Sequence, residues 1–403
     1  MGANTPTVSK TAEVLPPPTE RYSVVRWLHK NLFSTWYNAL LTIVMLILAT
    51  LAVRGVLEWA LTQARWEVIT VNLRLFMVGQ YPVSALWRIW ACVVLLAFLI
   101  GISWGIWGGM QRGGAVAFGA LPFILAIITS DEPSRIALAI TGIAGVVGYA
   151  LNWRWGAALR RVSIIGWVLY IPILFVLVSG SGADDSLLPS VPTNLWGGLL
   201  LTLLLTVVGI VFSFPLGVVL ALGRQSKLPV INWLCVVYIE LIRGVPFISV
   251  LFMAQLMLPL FLPGVTIDRV VRAMAGVIIF SAAYLAENVR GGLQSIPRGQ
   301  YEAARALGLS PWKMTLLIIL PQALRAVIPI LVGQFIALFK DTSLVVIVGL
   351  LDLMGIAKTV LAQPDFLGLQ AEVYTFVAFV YGIFCYLMSA FSQRLEAKLH
   401  AGR

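Results

Sequence analysis

The sequence predicts an all-α polytopic membrane protein with about ten transmembrane helices. Three observations predict it. Of its 403 residues, 60% are hydrophobic and only 11% charged, with mean hydropathy +0.94; a soluble domain carries about a quarter charged residues. Apolar stretches of about 20 residues recur along the chain, the length needed to cross a hydrocarbon layer. Basic residues gather in short loops between those stretches. The net charge of +11 therefore fits a positive-inside topology, and no nucleic-acid partner is expected. Cys92, Cys235 and Cys385 all lie in apolar stretches, so no disulfide framework is implied. His29 and His400 make no metal motif, and no Gly-Lys dipeptide is present to begin a phosphate-binding loop.

Residues 1–33 read as a cytoplasmic tail. Its first part is polar, contains Pro16, Pro17 and Pro18, and is expected to be disordered and not a cleaved signal. An extension of about five helices follows over residues 34–189. Its first span covers Trp36 to Leu57, with Arg21, Arg26 and Lys30 placing the N-terminus inside. Residues 58–86, with Arg65, Glu67 and Arg74, read as an external excursion along the membrane surface. The second span covers Trp87 to Trp107. Arg112 marks a return loop, and Ala115 to Thr129 forms the third span. Asp131, Glu132 and Pro133 face outside. Arg135 to Leu151 forms the fourth span, Arg154, Arg160 and Arg161 lie inside, and Ser163 to Val178 forms the fifth. Asp184 and Asp185 mark an outer turn. Gly101, Ser103 and Gly105 fit a hydrolase elbow by spacing. They lie inside an apolar helix, however, where that motif lacks its strand–turn–helix context. Close helix packing is the better reading, as it is for Gly142, Gly145 and Gly148.

The character changes near Pro192, and residues 190–392 read as a second region. Leu195 to Leu222 is the sixth span and ends at Arg224 and Lys227. The apolar run from Val230 to Leu262 is too long for one simple span, and Gly244 and Pro246 offer a break within it. Pro263 and Gly264 turn the chain outside. Val271 to Ala286 brings it back to Arg290 and Arg298. A ninth span follows Arg325, and a tenth runs from Tyr374 to Phe391. Arg394, Lys398 and Arg403 mark a cytoplasmic tail, 393–403.

A polar island separates the eighth and ninth spans. Gly308 suits the left-handed position that ends a short helix. Ser310 then caps a second helix with Pro311 at its first position. Small side chains at Ala303 and Ala304 leave room for another protein's surface, and Glu302 adds a charge. The spacing of Glu302, Ala303, Ala304, Gly308, Ile318, Leu320 and Pro321 resembles the EAA loop of ABC-importer permeases. Three more stretches resemble polar-amino-acid permeases of that class: Tyr238 to Pro246, Ala283 to Gln300, and Lys340 to Leu344. The long extension is similar to that of the longer permease of general L-amino-acid importers.

The resemblance implies a type I ABC-importer permease core over residues 190–392, with residues 295–321 as a coupling loop that docks on an ATPase subunit. It implies an ATPase dimer that carries ATP and Mg, with no cofactor in this chain. It also implies a second, paralogous permease, a periplasmic amino-acid-binding protein, and a place in a bacterial inner membrane. Transport would proceed by alternating access. An ion- or proton-coupled secondary transporter is the alternative, although the chain shows no strong inverted repeat.

Ionisable residues in or near spans mark a candidate pathway or gate: Glu240, Arg243, Gly244, Pro246, Glu287, Arg290, Lys340, Asp341 and Ser343. Glu240 with Arg243 and Glu287 with Arg290 are i,i+3 pairs, which either neutralise themselves or serve the substrate. Lys340 and Asp341 lie about 22 Å beyond Arg325 along a straight helix, either deep or at a helix break. A zwitterion needs both an anion-binding and a cation-binding group. Backbone N–H groups near Gly244 and Pro246 are candidates for its carboxylate, and Glu287 or Glu240 for its ammonium. The paired permease holding the whole site is the other arrangement.

Overall fold

A computed structural model describes residues 24–107, 112–129, 131–182, 188–261, 264 and 267–400. Every regular element among them is helical. The outer turn predicted around Asp184 and Asp185, the first part of the N-terminal tail, Pro263 and Arg403 lie outside the described residues.

Two units emerge, Met1–Arg65 and Trp66–Arg403. In the first, α1 (Val24–Leu32) precedes α2 (Trp36–Glu58), which Thr35 caps through its side chain and which widens into a π-turn at Trp59–Gln63. No residue of α2 is buried within the chain. That suits a span whose whole circumference is apolar and meets lipid.

The second unit begins with α3 (Glu67–Val78). In this stretch, read from the sequence as lying along the membrane surface, one face is covered by protein. Val68, Ile69, Phe76 and Val78 are buried, and most of that face belongs to a core shared with the C-terminal helices. The pattern was amphipathic, but its apolar face is covered by protein.

Next come α4 (Leu86–Trp107), α5 (Arg112–Ile128) and α6 (Glu132–Ser179). The fourth and fifth predicted spans both fall within α6. Even so, α6 folds back on itself. A Cβ on Gly101 would lie 2.2 Å from the Gly145 carbonyl oxygen, and one on Gly166 would lie 2.6 Å from Leu99 Cδ2. Residues 145 and 166 therefore touch the same turn of α4, yet a straight helix would separate them by about 31 Å. The reversal falls between the apolar halves Glu132–Asn152 and Ala158–Ser179. Packing, not catalysis, explains the spaced glycines. Gly101 and Gly105 admit Gly145 and Asn152, and Ser103 accepts a hydrogen bond from Trp167 Nε1 at 2.9 Å. The third predicted span lies in α5, whose stretch Phe118–Ile127 is apolar.

The remaining helices form the core. They are α7 (Gly198–Arg224), α8 (Pro229–Arg243), α9 (Phe247–Phe252), a π-turn at Met253–Met257, α10 (Leu258–Phe261) and α11 (Arg269–Gln294). Then follow α12 (Arg298–Ala306), α13 (Pro311–Met314), a π-turn at Thr315–Ile319, and α14 (Leu320–Asp341). A 3₁₀ run at Thr342–Val348 leads to α15 (Leu353–Leu361) and α16 (Gln370–His400). Among the described residues, eight helices are long and apolar enough to cross a membrane, or nine if the bent pair around Gly244 counts as one span. The predicted ten also included the third span, in α5.

Glycines bring the central helices together. A Cβ at Gly217 of α7 would lie 2.7 Å from Leu285 Cβ of α11, and one at Gly292 would lie 2.7 Å from the Ala323 carbonyl oxygen of α14. At this spacing α7, α11 and α14 pack backbone close to backbone, and side-chain interdigitation replaces a hydrophobic driving force.

Candidate functional site

The predicted coupling loop forms a hairpin. Pro297 starts α12, and the chain leaves it through Gly308 at φ 72°. The Leu309 N–H donates to the Ala304 carbonyl at 3.2 Å, and the Gly308 N–H donates to Arg305 at 2.9 Å. Together these make a Schellman closure, which requires the left-handed residue that glycine supplies. Ser310 stands at the next N-cap with Pro311 behind it, but its side chain makes no cap hydrogen bond. The second helix does not end at Met314. From Pro311 it continues through the π-turn into α14.

The hairpin is seated, not free. Ala304 is buried with Ala221 of α7, Ile239 of α8, Ala286, Val289 and Leu293 of α11, and Met314, Ile319 and Ala323. Tyr301 Oη donates to the Leu293 carbonyl at 3.3 Å, and Gln322 Nε2 donates to Gln300 Oε1 at 3.2 Å. The expected outward role of Ala304 is thus corrected. Its small side chain lets α12 close on α11, while Ala303 and Glu302 face out. Ile318 and Leu320 are half-buried, and Pro321 is exposed. Sequence reasoning missed Leu307 and Trp312, which flank Gly308 and are 76% and 68% exposed. Large apolar side chains at the tip of a polar loop were the available signal.

Beside the hairpin's seat lies a knot of charges at the end of α11. Arg290 Nε meets both Glu287 carboxylate oxygens at 3.0 Å, so that predicted pair forms. The other does not. Glu240 pairs with Arg224 at 2.9 Å, and Arg224 also reaches Glu287 at 3.3 Å. Arg243 turns toward Glu287 at 3.8 Å and stands over the Tyr284 ring at 5.8 Å. The physical reason is convergence. The ends of α7, α8 and α11 meet here, and cross-helix partners lie nearer than the same-helix neighbour. Three arginines thus surround Glu287, and Arg224, read from sequence only as a topology marker, ties three helices together. Asn232 Nδ2 donates to the Arg224 carbonyl and fixes the turn between α7 and α8.

The break at Gly244 and Pro246 is present, with α8 and the following apolar helix bent by 106°. Gly244 itself stays right-handed at φ −78°, so Pro246, standing just before α9, ends the helix. Lys340, Asp341 and Ser343 lie elsewhere. Asp341 closes α14 and Ser343 lies in the first turn of the 3₁₀ run, so the helix-break alternative is the one observed. About 27 Å of helix separates Asp341 from Ala323, which packs beside the knot, so the two groups of predicted gate residues are far apart.

Beyond that break stands Asp352, a carboxylate that sequence reasoning did not single out. It is fully buried and caps α15, accepting from the Gly355 N–H at 2.9 Å and from Tyr381 Oη at 3.2 Å. Burial pushes its carboxyl above the usual range, against the pull of these donors.

These features define a class: a helical membrane protein with a hairpin seated on its own core helices. Residues 213–401 match the family described as the inner membrane component of binding-protein-dependent transport systems. The inner membrane amino-acid ABC transporter permease protein YhdY of Escherichia coli (strain K12) is 42% identical over 94% of this chain and 93% of its own length. The glutamate/glutamine/aspartate/asparagine transport system permease protein BztC of Rhodobacter capsulatus is 36% identical over 95% of both chains. A shorter relative, the glutamate/aspartate import permease protein GltK of Escherichia coli O6:H1, is 41% identical over 49% of this chain and 89% of its own. The chain belongs to the amino-acid ABC transporter permeases. It is a multi-span membrane transport subunit whose C-terminal helices form a type I importer core.

Proposed function

We propose that this subunit carries L-amino acids inward by alternating access and has no ATPase site of its own. A separate ATPase dimer binds ATP and Mg and receives the hairpin of α12 and α13. A second, paralogous permease completes the pathway, and a periplasmic binding protein delivers the substrate. Both termini face the cytoplasm. The observation that carries this reading is the hairpin itself. Its inner face is buried on three core helices, and its outer face offers Glu302, Leu307 and Trp312. A force on α12 passes through Ala304 and Tyr301 to Leu293, and along α11 to Glu287 and Arg290. From there Arg224 and Arg243 connect to α8 and its bend. The knot is thereby the candidate inner gate, and Lys340, Asp341 and Ser343 belong to a separate break further along the core. Glu240, the more exposed carboxylate of the knot, is the candidate for a passing ammonium, since Glu287 is held by three guanidinium groups.

Replacing Glu302 with cysteine and cross-linking it to the ATPase subunit tests the docking. Glu302→Lys is expected to insert normally and lose ATP-driven uptake. Unchanged uptake, with normal stimulation of the ATPase by loaded binding protein, would refute it. Labelling of a cysteine at position 305 by an impermeant reagent applied outside intact cells would refute the topology.

A further inference from the structure

The N-terminal extension meets the core through side chains of α4 and α6 and, separately, through α3. In this chain α3 packs on a helix that cannot span a membrane. The nine residues of α15 reach about 14 Å. It stands between the 3₁₀ run at Thr342–Val348 and a short 3₁₀ turn at Pro364–Phe366. Its place depends on what holds it sideways.

Three contacts from the α3 region do that. Val68, Ile69 and Phe76 share a core with Leu353, Ile356 and Val360 of α15 and with Val373 and Val377 of α16. The Phe76 ring meets Phe376 edge-on at 5.1 Å. Buried Asn72 accepts a hydrogen bond from Gln363 Nε2 at 3.3 Å, just past the end of α15. At the end of α3 the chain is pinned backbone to backbone. Gly79 has φ 66°, and a Cβ there would lie 2.5 Å from Gly197 Cα. The next glycine, Gly198, donates its N–H to the Leu351 carbonyl at 2.9 Å, directly before Asp352.

We infer that α3 is a positioning strap: Asn72, Phe76 and Gly79 hold α15 and the start of α7 as one body, and so set the helix break after Asp341 through the transport cycle. This rests on the family's transport activity and not on the docking of the hairpin. Asn72 and Phe76 act through α15.

The test uses the whole complex in liposomes, with its binding protein and whichever of radiolabelled L-glutamate, L-glutamine, L-arginine and L-leucine the unsubstituted complex carries. Asn72→Leu removes the acceptor of the half-buried Gln363 amide, and uptake per assembled complex is expected to fall roughly fivefold in maximal rate, with KM little changed. Adding Gln363→Leu replaces both polar partners by apolar ones and is expected to restore most of the rate. Phe76→Ala is expected to fall further; should it fail to assemble, the Asn72 and Gln363 pair decides. Replacing Asn72 and Gln363 with cysteines and closing the bridge is expected to leave transport intact, because the two segments travel together. Loss of transport on closing that bridge would overturn the inference. So would full uptake by Asn72→Leu, a change confined to KM, or a double variant no better than the single. Failure of the hairpin to dock would leave all these outcomes unchanged in direction.

Discussion

The core is held differently at its two ends. At the coupling end, three arginines and two glutamates join α7, α8 and α11 through partly exposed side chains, next to a hairpin closed by one left-handed glycine. At the far end, Gly79, Gly197, Gly198 and Leu351 meet backbone to backbone, and Asp352 is wholly buried. Partly exposed ion pairs contribute little each, are screened by salt, and exchange partners at small cost. Close backbone packing has no such freedom, because any added atom must displace main chain. The charged end can therefore exchange partners, and the glycine end cannot move without displacing backbone.

The largest expected effect breaks the fixed end. Gly79→Val adds a branched side chain where φ is positive and the Gly197 backbone leaves no room. A loss of about 3 kcal/mol or more is expected, read as a collapse in the amount of folded subunit recovered from membranes. Normal recovery would show that the far end can yield. Next is Glu287→Gln, which leaves three guanidinium groups around a neutral amide. About 2 kcal/mol is expected, measured by thermal unfolding of the purified complex, with uptake falling in parallel. If Glu287→Gln cost no more than Glu240→Gln, Glu287 would not be the hub of the knot.

Gly308→Val comes third. Its surroundings are open, so only backbone strain applies, at about 1–2 kcal/mol. The subunit is expected to insert normally and lose stimulation of the ATPase by loaded binding protein, while Gly308→Asn retains part of it. Glu240→Gln follows with less than about 1 kcal/mol, because Glu240 is 54% exposed on its side chain. Reversing the pair, Arg224→Glu with Glu240→Arg, does not rescue uptake if Arg224 also serves Glu287, so rescue would reduce the knot to separate pairs. Smallest is Ser310→Ala. The hydroxyl makes no cap hydrogen bond, so the change is expected to stay within about 0.5 kcal/mol, compared with about 1 kcal/mol for a working cap.

Much of this was legible in the residues. Apolar lengths and loop charges located the spans, including the reversal within α6. Gly308 and Pro311 located the hairpin, because local backbone chemistry needs no distant partner. Pro246 located the bend for the same reason. The seven coupling-loop residues could be found, but not which way they face: Ala303 and Ala304 are identical in sequence terms, yet one is exposed and the other buried.

What the sequence by itself determined, then, was everything set within one or two helical turns: span, cap, break and family. Only the tertiary structure decided partners. Glu240 stands three residues from Arg243 and yet bonds Arg224, because α7 and α8 end side by side and a cross-helix carboxylate lies within reach. The amphipathic α3 carried no mark to say whether lipid or protein would cover it. The valines and leucines of α15 and α16 made that choice, from nearly 300 residues further along the chain. Side-chain chemistry states what a group needs, and the fold alone determines which group supplies it.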